Sequence, residues 1–219
     1  MVAGVSFPVL SELQDDKEKL TATLRRFIKS TALFSFSAIL GLAAISESLV
    51  FSVLGKQWEQ TIIYLQLFCF YGLIFPVHGL NSNILKVTGR SGLLFKLELL
   101  NKILAIPTIF IGVYWGIEAM IIGIGVNKFI NYLINAKWIE PFTGYRLTRQ
   151  FRDLTPSLMI SFIVFFASFF VKWLSNTGHT ATLILQILTG FVAFVLVNEV
   201  IKLDEYTYLR EIVIRKLKK

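Results

Sequence analysis

Apolar residues run along this chain in six long blocks, at 31–53, 59–83, 92–114, 117–137, 154–173 and 180–201, separated by short polar stretches. They are not arranged as the narrow apolar stripes of soluble amphipathic helices. Each block reaches the roughly 20 residues that a helix needs to cross about 30 Å of hydrocarbon. A helix satisfies its own backbone polar groups, so it can span lipid without a partner. The pattern therefore predicts an all-α, polytopic membrane protein with six transmembrane helices.

Sorting the basic residues onto the flanks of these blocks gives an orientation. Lys17, Lys19, Arg25, Arg26 and Lys29 precede the first block, and Lys86, Arg90 and Lys96 surround the second-to-third junction. Lys137, Arg146, Arg149 and Arg152 lie between the fourth and fifth, and Lys202, Arg210, Arg215, Lys216, Lys218 and Lys219 follow the sixth. All of these fall on one side of a six-pass topology. The opposite side holds only Lys56 and Lys172, with Lys102 and Lys128 inside blocks. This is the positive-inside pattern, and it predicts that both termini are cytoplasmic. Trp58, Trp115, Trp138 and Trp173 all fall at predicted span ends, where an amphipathic ring favours the headgroup level.

Composition agrees. The 219 residues are 55% apolar and 16% charged, with a mean hydropathy of +0.66. That excludes a disordered chain and an ordinary soluble domain. The net charge of +8 is accounted for by topology, so no nucleic-acid partner is expected. Cys69 alone makes no internal disulfide, and with only His78 and His179 a Cys/His zinc cluster is excluded. Residues 1–10 are apolar, but they lack a basic leader and a cleavage site and are too short to span. The expected division is a cytoplasmic amphipathic segment at 1–30 following a missing helix, a six-helix bundle at 31–201 and a basic cytoplasmic tail at 202–219. Within 144–154, Leu147, Phe151 and Leu154 recur at helical spacing among Arg146, Arg149 and Arg152. That segment reads either as a short helix lying on an anionic leaflet or as a solvated connector, and the tail reads the same way.

Catalytic constellations are missing, and neither an enzyme nor a cofactor or metal is expected. Gly123 and Gly125 faintly echo a phosphate loop but lie inside a span without a preceding strand, so close helix packing explains them better. Cys69 reads as a filler thiol, His78 as a hydrogen-bonded or interfacial imidazole. What does stand out is polarity at membrane depth. Lys102 lies in the third block with Glu98 four residues before it and Asn101 beside it. Lys128 lies in the fourth, flanked by Asn127, Asn131 and Asn135 on one helical face. Charges at that depth normally face a bundle interior or a water-filled cavity. Glu98, Lys102, Asn127, Lys128 and Asn131 are accordingly the candidate substrate-cavity residues. The competing readings are an intrahelical Glu98–Lys102 pair and amides that only bond across helices. Pro76 and Pro107 lie inside spans, where a proline tends to kink a helix.

The run Phe7-Pro8-Val9-Leu10-Ser11-Glu12-Leu13-Gln14-Asp15-Asp16-Lys17-Glu18-Lys19-Leu20 resembles a segment of bacterial polysaccharide flippases, the O-antigen and capsule repeat-unit exporters of the multidrug/oligosaccharidyl-lipid/polysaccharide superfamily. Gly55-Lys56-Gln57-Trp58, Leu85-Lys86-Val87-Thr88-Gly89-Arg90-Ser91, Asn131 to Asn135, and the basic stretch before Pro156 are similar to the same family. The resemblance implies an inner-membrane transporter of fourteen helices in two pseudo-symmetric lobes, working by alternating access. It implies further that this chain matches only helices nine to fourteen, a partial lobe. Its implied partners are lipid-linked oligosaccharide on an undecaprenyl diphosphate carrier, membrane lipids, and the missing N-terminal lobe or a partner chain. On that reading Lys128 and Lys102 offer positive charge to a diphosphate or acidic sugar, and Arg90 and Arg149 are cytoplasmic-side contacts at most. Two alternatives stand beside it. One is a non-transporting interaction module that completes another membrane protein. The other is a membrane enzyme of envelope synthesis, which the lack of large acidic or histidine-bearing outer loops disfavours.

Overall fold

The computed structural model describes residues 2–175, 178–203 and 206–207. Among them the regular structure is helical: α1 (Val2–Ser11), α2 (Lys17–Val53), a single 3₁₀ turn (Lys56–Trp58), α3 (Thr61–Gly72), α4 (Phe75–Val87), α5 (Ser91–Thr143), α6 (Leu147–Leu174) and α7 (His179–Ile201). Five stretches are long and apolar enough to cross a membrane, with α3 and α4 counted as one. Between α3 and α4 the chain breaks at Leu73–Ile74, and Pro76 falls in the first turn of α4, where a missing N–H costs nothing. Asp16 starts α2 by accepting the Lys19 backbone N–H at 3.1 Å. The helix then runs unbroken for 37 residues, across the boundary expected at residue 30. Residues 208–219, most of the expected tail, lie outside the described residues.

As a straight rod the 53 residues of α5 would extend about 80 Å, far beyond any bilayer. Gly116, at φ 87° and ψ 178°, instead turns the chain back on itself in a conformation that L side chains rarely adopt. Residues 91–115 and 117–143 are therefore two antiparallel arms. The Asn131 amide donates to Asn101 Oδ1 at 2.9 Å, and a Cβ on Gly123 would lie 3.5 Å from Thr108 Cβ. Both pairs are centred within one residue of Gly116. With the hairpin counted as two arms, the helices coincide approximately with the six apolar blocks of the sequence. Pro107 lies inside the first arm, where Gly116 is the non-helical residue.

The arms and helices then pack by register. α2 and α6 run parallel, tied by Arg25–Asp153, by Ser37 and Ser161 hydroxyls at 3.0 Å, and by Lys172–Glu47. The α7 helix returns antiparallel beside them, with Phe34 against Phe194 and Phe51 against His179. α3 returns along α2, where Gln66 donates to Ser46 Oγ at 3.0 Å. The second arm of α5 runs parallel to α3 and α4, so close that a Cβ on Gly125 would sit 3.1 Å from Tyr71 Cβ. Close packing is thus what Gly123 and Gly125 provide.

The buried core lies at the basic end of the bundle. Leu10 of α1, Leu20, Leu24 and Ile28 of α2, Ile84 and Leu85 of α4, Ala136 and Ile139 of α5, and Tyr145 close it. Toward the other end large apolar side chains stay uncovered, including Tyr114, Trp115, Trp173 and Leu174, each more than 70% exposed. Exposure of that extent suits lipid, not water. The chain is a multi-pass membrane protein. Residues 147–154 correct one expectation, since they form neither a separate surface helix nor a solvated connector. They are the first turns of α6, continuous through Pro156, with Gln150 and Asp153 buried. The reason is that Asp153 is drawn inward by Arg25 and the Tyr145 hydroxyl, which stands the helix up against α2.

Candidate functional site

Three helical faces meet beside the hairpin. On α4, His78 and Ser82 are one turn apart, a spacing that puts both on one side of the helix. On the first arm of α5, Glu98, Asn101 and Lys102 share a face by the same rule, and on the second arm Asn131 and Asn135 do. The turn at Gly116 and the parallel packing of α4 on the second arm bring the three faces around a cavity of about 220 Å³.

Its walls are cross-linked by amides. Asn131 donates both to Asn101 Oδ1 at 2.9 Å and to the Asn127 carbonyl at 2.8 Å. Asn135 donates to Ser82 Oγ at 3.1 Å. Two buried acceptors of this wall, Asn135 Oδ1 and His78 Nδ1, have no partner among the described residues. Leaving such groups unsatisfied costs about 1–3 kcal/mol each, so a polar guest that donates hydrogen bonds would be welcome. Glu98 and Lys102 lie on the rim and are exposed, and among the described residues no ion pair joins them.

Of the five residues picked from sequence, Glu98, Lys102 and Asn131 line this cavity. Asn127 is buried behind Asn131 and lines a separate, mainly apolar groove between the arms, beside Thr108 and Gly123. Lys128 is half-buried and off the cavity wall, yet it and Glu98 are both near enough to act electrostatically on His78. The residues not singled out are His78 and Ser82. Nothing in the sequence ties α4 to the hairpin, so only the polar pair at helical spacing could have pointed to them. Asn135 was legible as the next member of the row that begins at Asn127 and Asn131.

From the cavity a chain of polar contacts leads to the basic end. Asn81, beside Ser82, donates to Gln150 Oε1 at 3.0 Å, and the buried Tyr132 hydroxyl donates to the same atom at 3.1 Å. Gln150 reaches the Tyr145 carbonyl at 3.4 Å, and Tyr145 donates its hydroxyl to Asp153 at 2.8 Å. Arg25 closes the chain with two contacts to Asp153. Burial, reinforced by the neighbouring carboxylate, raises the Tyr145 hydroxyl well above the usual phenol range, so it remains a donor. No group of three metal-ligating side chains is found among the described residues.

Comparison with known proteins gives the following similarities. A family model described as polysaccharide biosynthesis protein matches residues 1–63. The chain is 30% identical over 174 residues to the lipopolysaccharide biosynthesis protein WzxC of Escherichia coli strain K12, covering 74% of this chain. It is 27% identical over 189 residues, 86% of its length, to an uncharacterized membrane protein in the cps region of Klebsiella pneumoniae. Over 95 residues it is 24% identical to the teichuronic acid biosynthesis protein TuaB of Bacillus subtilis strain 168, covering 43% of this chain and 20% of that protein. The chain spans 35% of the length of each of the first two relatives. No solved structure matches it.

Proposed function

We propose that this chain, a relative of the membrane proteins of polysaccharide biosynthesis, is part of a flippase that carries undecaprenyl-diphosphate-linked oligosaccharide repeat units across the cell inner membrane. Two lobes and alternating access are the mode by which such a part would work. The observation that carries the reading is the cavity of amide, hydroxyl and charged side chains at membrane depth, in a chain whose sequence relatives serve polysaccharide synthesis. Asn101, Asn131, Asn135 and Ser82 present the hydrogen-bonding groups that sugar hydroxyls pair with. Lys102 on the rim and Lys128 behind the wall supply positive charge for a diphosphate or an acidic sugar.

The rim supports a role within a larger assembly. Glu98 and Lys102 are exposed in this chain at a depth where charge is not left facing lipid. Further helices, from the same polypeptide or from another, would cover that face. With cations concentrated at the end that holds Lys17, Arg25, Arg146 and Arg149, that end is assigned to the cytoplasm.

The test is Lys128→Ala in cells whose surface glycan depends on this gene. Surface polysaccharide falls several-fold while the amount of protein in the membrane is unchanged, and Lys128→Arg restores most of it. Unchanged polysaccharide in Lys128→Ala removes Lys128 from the site. It would also favour the second reading, a non-transporting module that completes another membrane protein, to which the exposed rim of the hairpin is equally suited.

A further inference from the structure

A second polar pocket, of about 660 Å³, opens at the basic end, away from the cavity and separated from it by the buried Tyr132, Gln150 and Tyr145. Its floor is the turn Thr143–Gly144–Tyr145, where Gly144 takes a left-handed conformation at φ 68° and joins α5 to α6. The α2 wall contributes Lys17, Thr21 and Arg25, and α6 contributes Arg149. Among the described residues Glu18 is the one carboxylate lining it. Asp153 lies behind, committed to Arg25 and to the Tyr145 hydroxyl, and Lys29 is close enough to act on it.

These contacts make the wall a built one. Lys17 Nζ donates to the Pro141 carbonyl at 2.9 Å, and the Thr21 hydroxyl donates to the Thr143 carbonyl, so α2 holds the end of α5 in place. Asp153 fixes Arg25 through Nε and Nη2. Arg149, by contrast, is exposed and holds no ion pair among the described residues. The pocket's depth is also informative. Arg149 lies five residues before the apolar block that begins at 154, or about 8 Å along the helix. The polar zone of a bilayer adds roughly 5–8 Å on each face, so Arg149 stands at headgroup level.

We infer that this pocket binds the phosphodiester headgroup of an anionic phospholipid of the inner leaflet, with Arg149 as its principal contact. Asp153 offsets Arg25, so Lys17 and Arg149 set against Glu18 leave a small positive surplus that suits a monoanionic phosphodiester, whereas a diphosphate would bring more negative charge close to that carboxylate. The site is separate from the transport cavity and does not depend on the flippase reading.

The test is thermal unfolding of the full chain in neutral detergent, titrated with phosphatidylglycerol, with phosphatidylcholine or with undecaprenyl diphosphate. A ligand that binds only the folded state raises the midpoint with its concentration. Phosphatidylglycerol raises it and phosphatidylcholine does not. Arg149→Ala weakens the apparent affinity roughly fivefold, the worth of one basic residue at an anionic surface. Arg149→Lys retains most of it. Arg152→Ala, an exposed cation on the same helix outside the pocket, leaves it unchanged. Equal stabilisation of all variants by phosphatidylglycerol would mean general surface charge and overturn the site. Stabilisation by undecaprenyl diphosphate alone would overturn the phospholipid assignment.

Discussion

Asp153 shows how much one side chain can decide in this fold. It is 6% exposed, faces the Arg25 guanidinium through two oxygens and accepts the Tyr145 hydroxyl, while Arg25 itself is about half exposed. Solvent at the arginine weakens the pair, so the expected coupling lies below that of a fully buried one. A double-mutant cycle of Arg25→Ala and Asp153→Ala, followed by unfolding in detergent, should return about 1–2 kcal/mol. Coupling near zero would show that packing alone holds α6 to α2. Neither residue was picked from the sequence as a partner of the other. The pair joins positions 128 apart, and no local pattern announces a partner at that distance. Asn131 and Asn135 were legible because their spacing along one helix is itself the signal. His78 was visible as a residue, but its place on the cavity wall depends on the packing of α4 against another helix.

The α5 hairpin is the element on which the candidate site depends. The sequence ends one apolar block at 114 and starts the next at 117, and Gly116 lies between them. That is a legible turn. What the sequence does not give is the register of the two arms, which sets Asn101 against Asn131. Register can be tested directly. In a Cys69→Ala background, Thr108→Cys with Gly123→Cys should form a disulfide on mild oxidation, because the two Cβ positions are 3.5 Å apart. In a straight helix the same residues would be about 22 Å apart and would not cross-link. The same contrast explains why both readings of 144–154, a leaflet helix and a solvated connector, give way to a third. Local amphipathicity is shared by a helix on a leaflet and by the base of a spanning helix, and the contacts of Gln150 and Asp153 decide for the latter.

At the scale of the whole molecule the claim is six passes, and their parity can be measured. Single cysteines at the exposed positions Tyr114 and His179 should react with a membrane-impermeant maleimide from outside the cell. Cysteines at the exposed Ser91 and Arg146 should react only after permeabilisation. If α5 crossed once, Ser91 and Arg146 would label from opposite sides. The sequence by itself determined the membrane environment, the approximate limits of the apolar helices, and which of them carry polar residues. Each of these follows from how many consecutive apolar residues a helix must have to be stable in lipid, which is a local property of the chain. Only the tertiary structure decided which polar faces meet: α2 parallel to α6, α4 beside the second arm, His78 and Ser82 added to the hairpin's amides, Lys128 set behind the wall. In hydrocarbon every apolar helix face is about equally soluble, so hydrophobicity selects no partner. Packing of small residues, hydrogen bonds and ion pairs between distant segments make that selection, and they exist only once the helices are side by side.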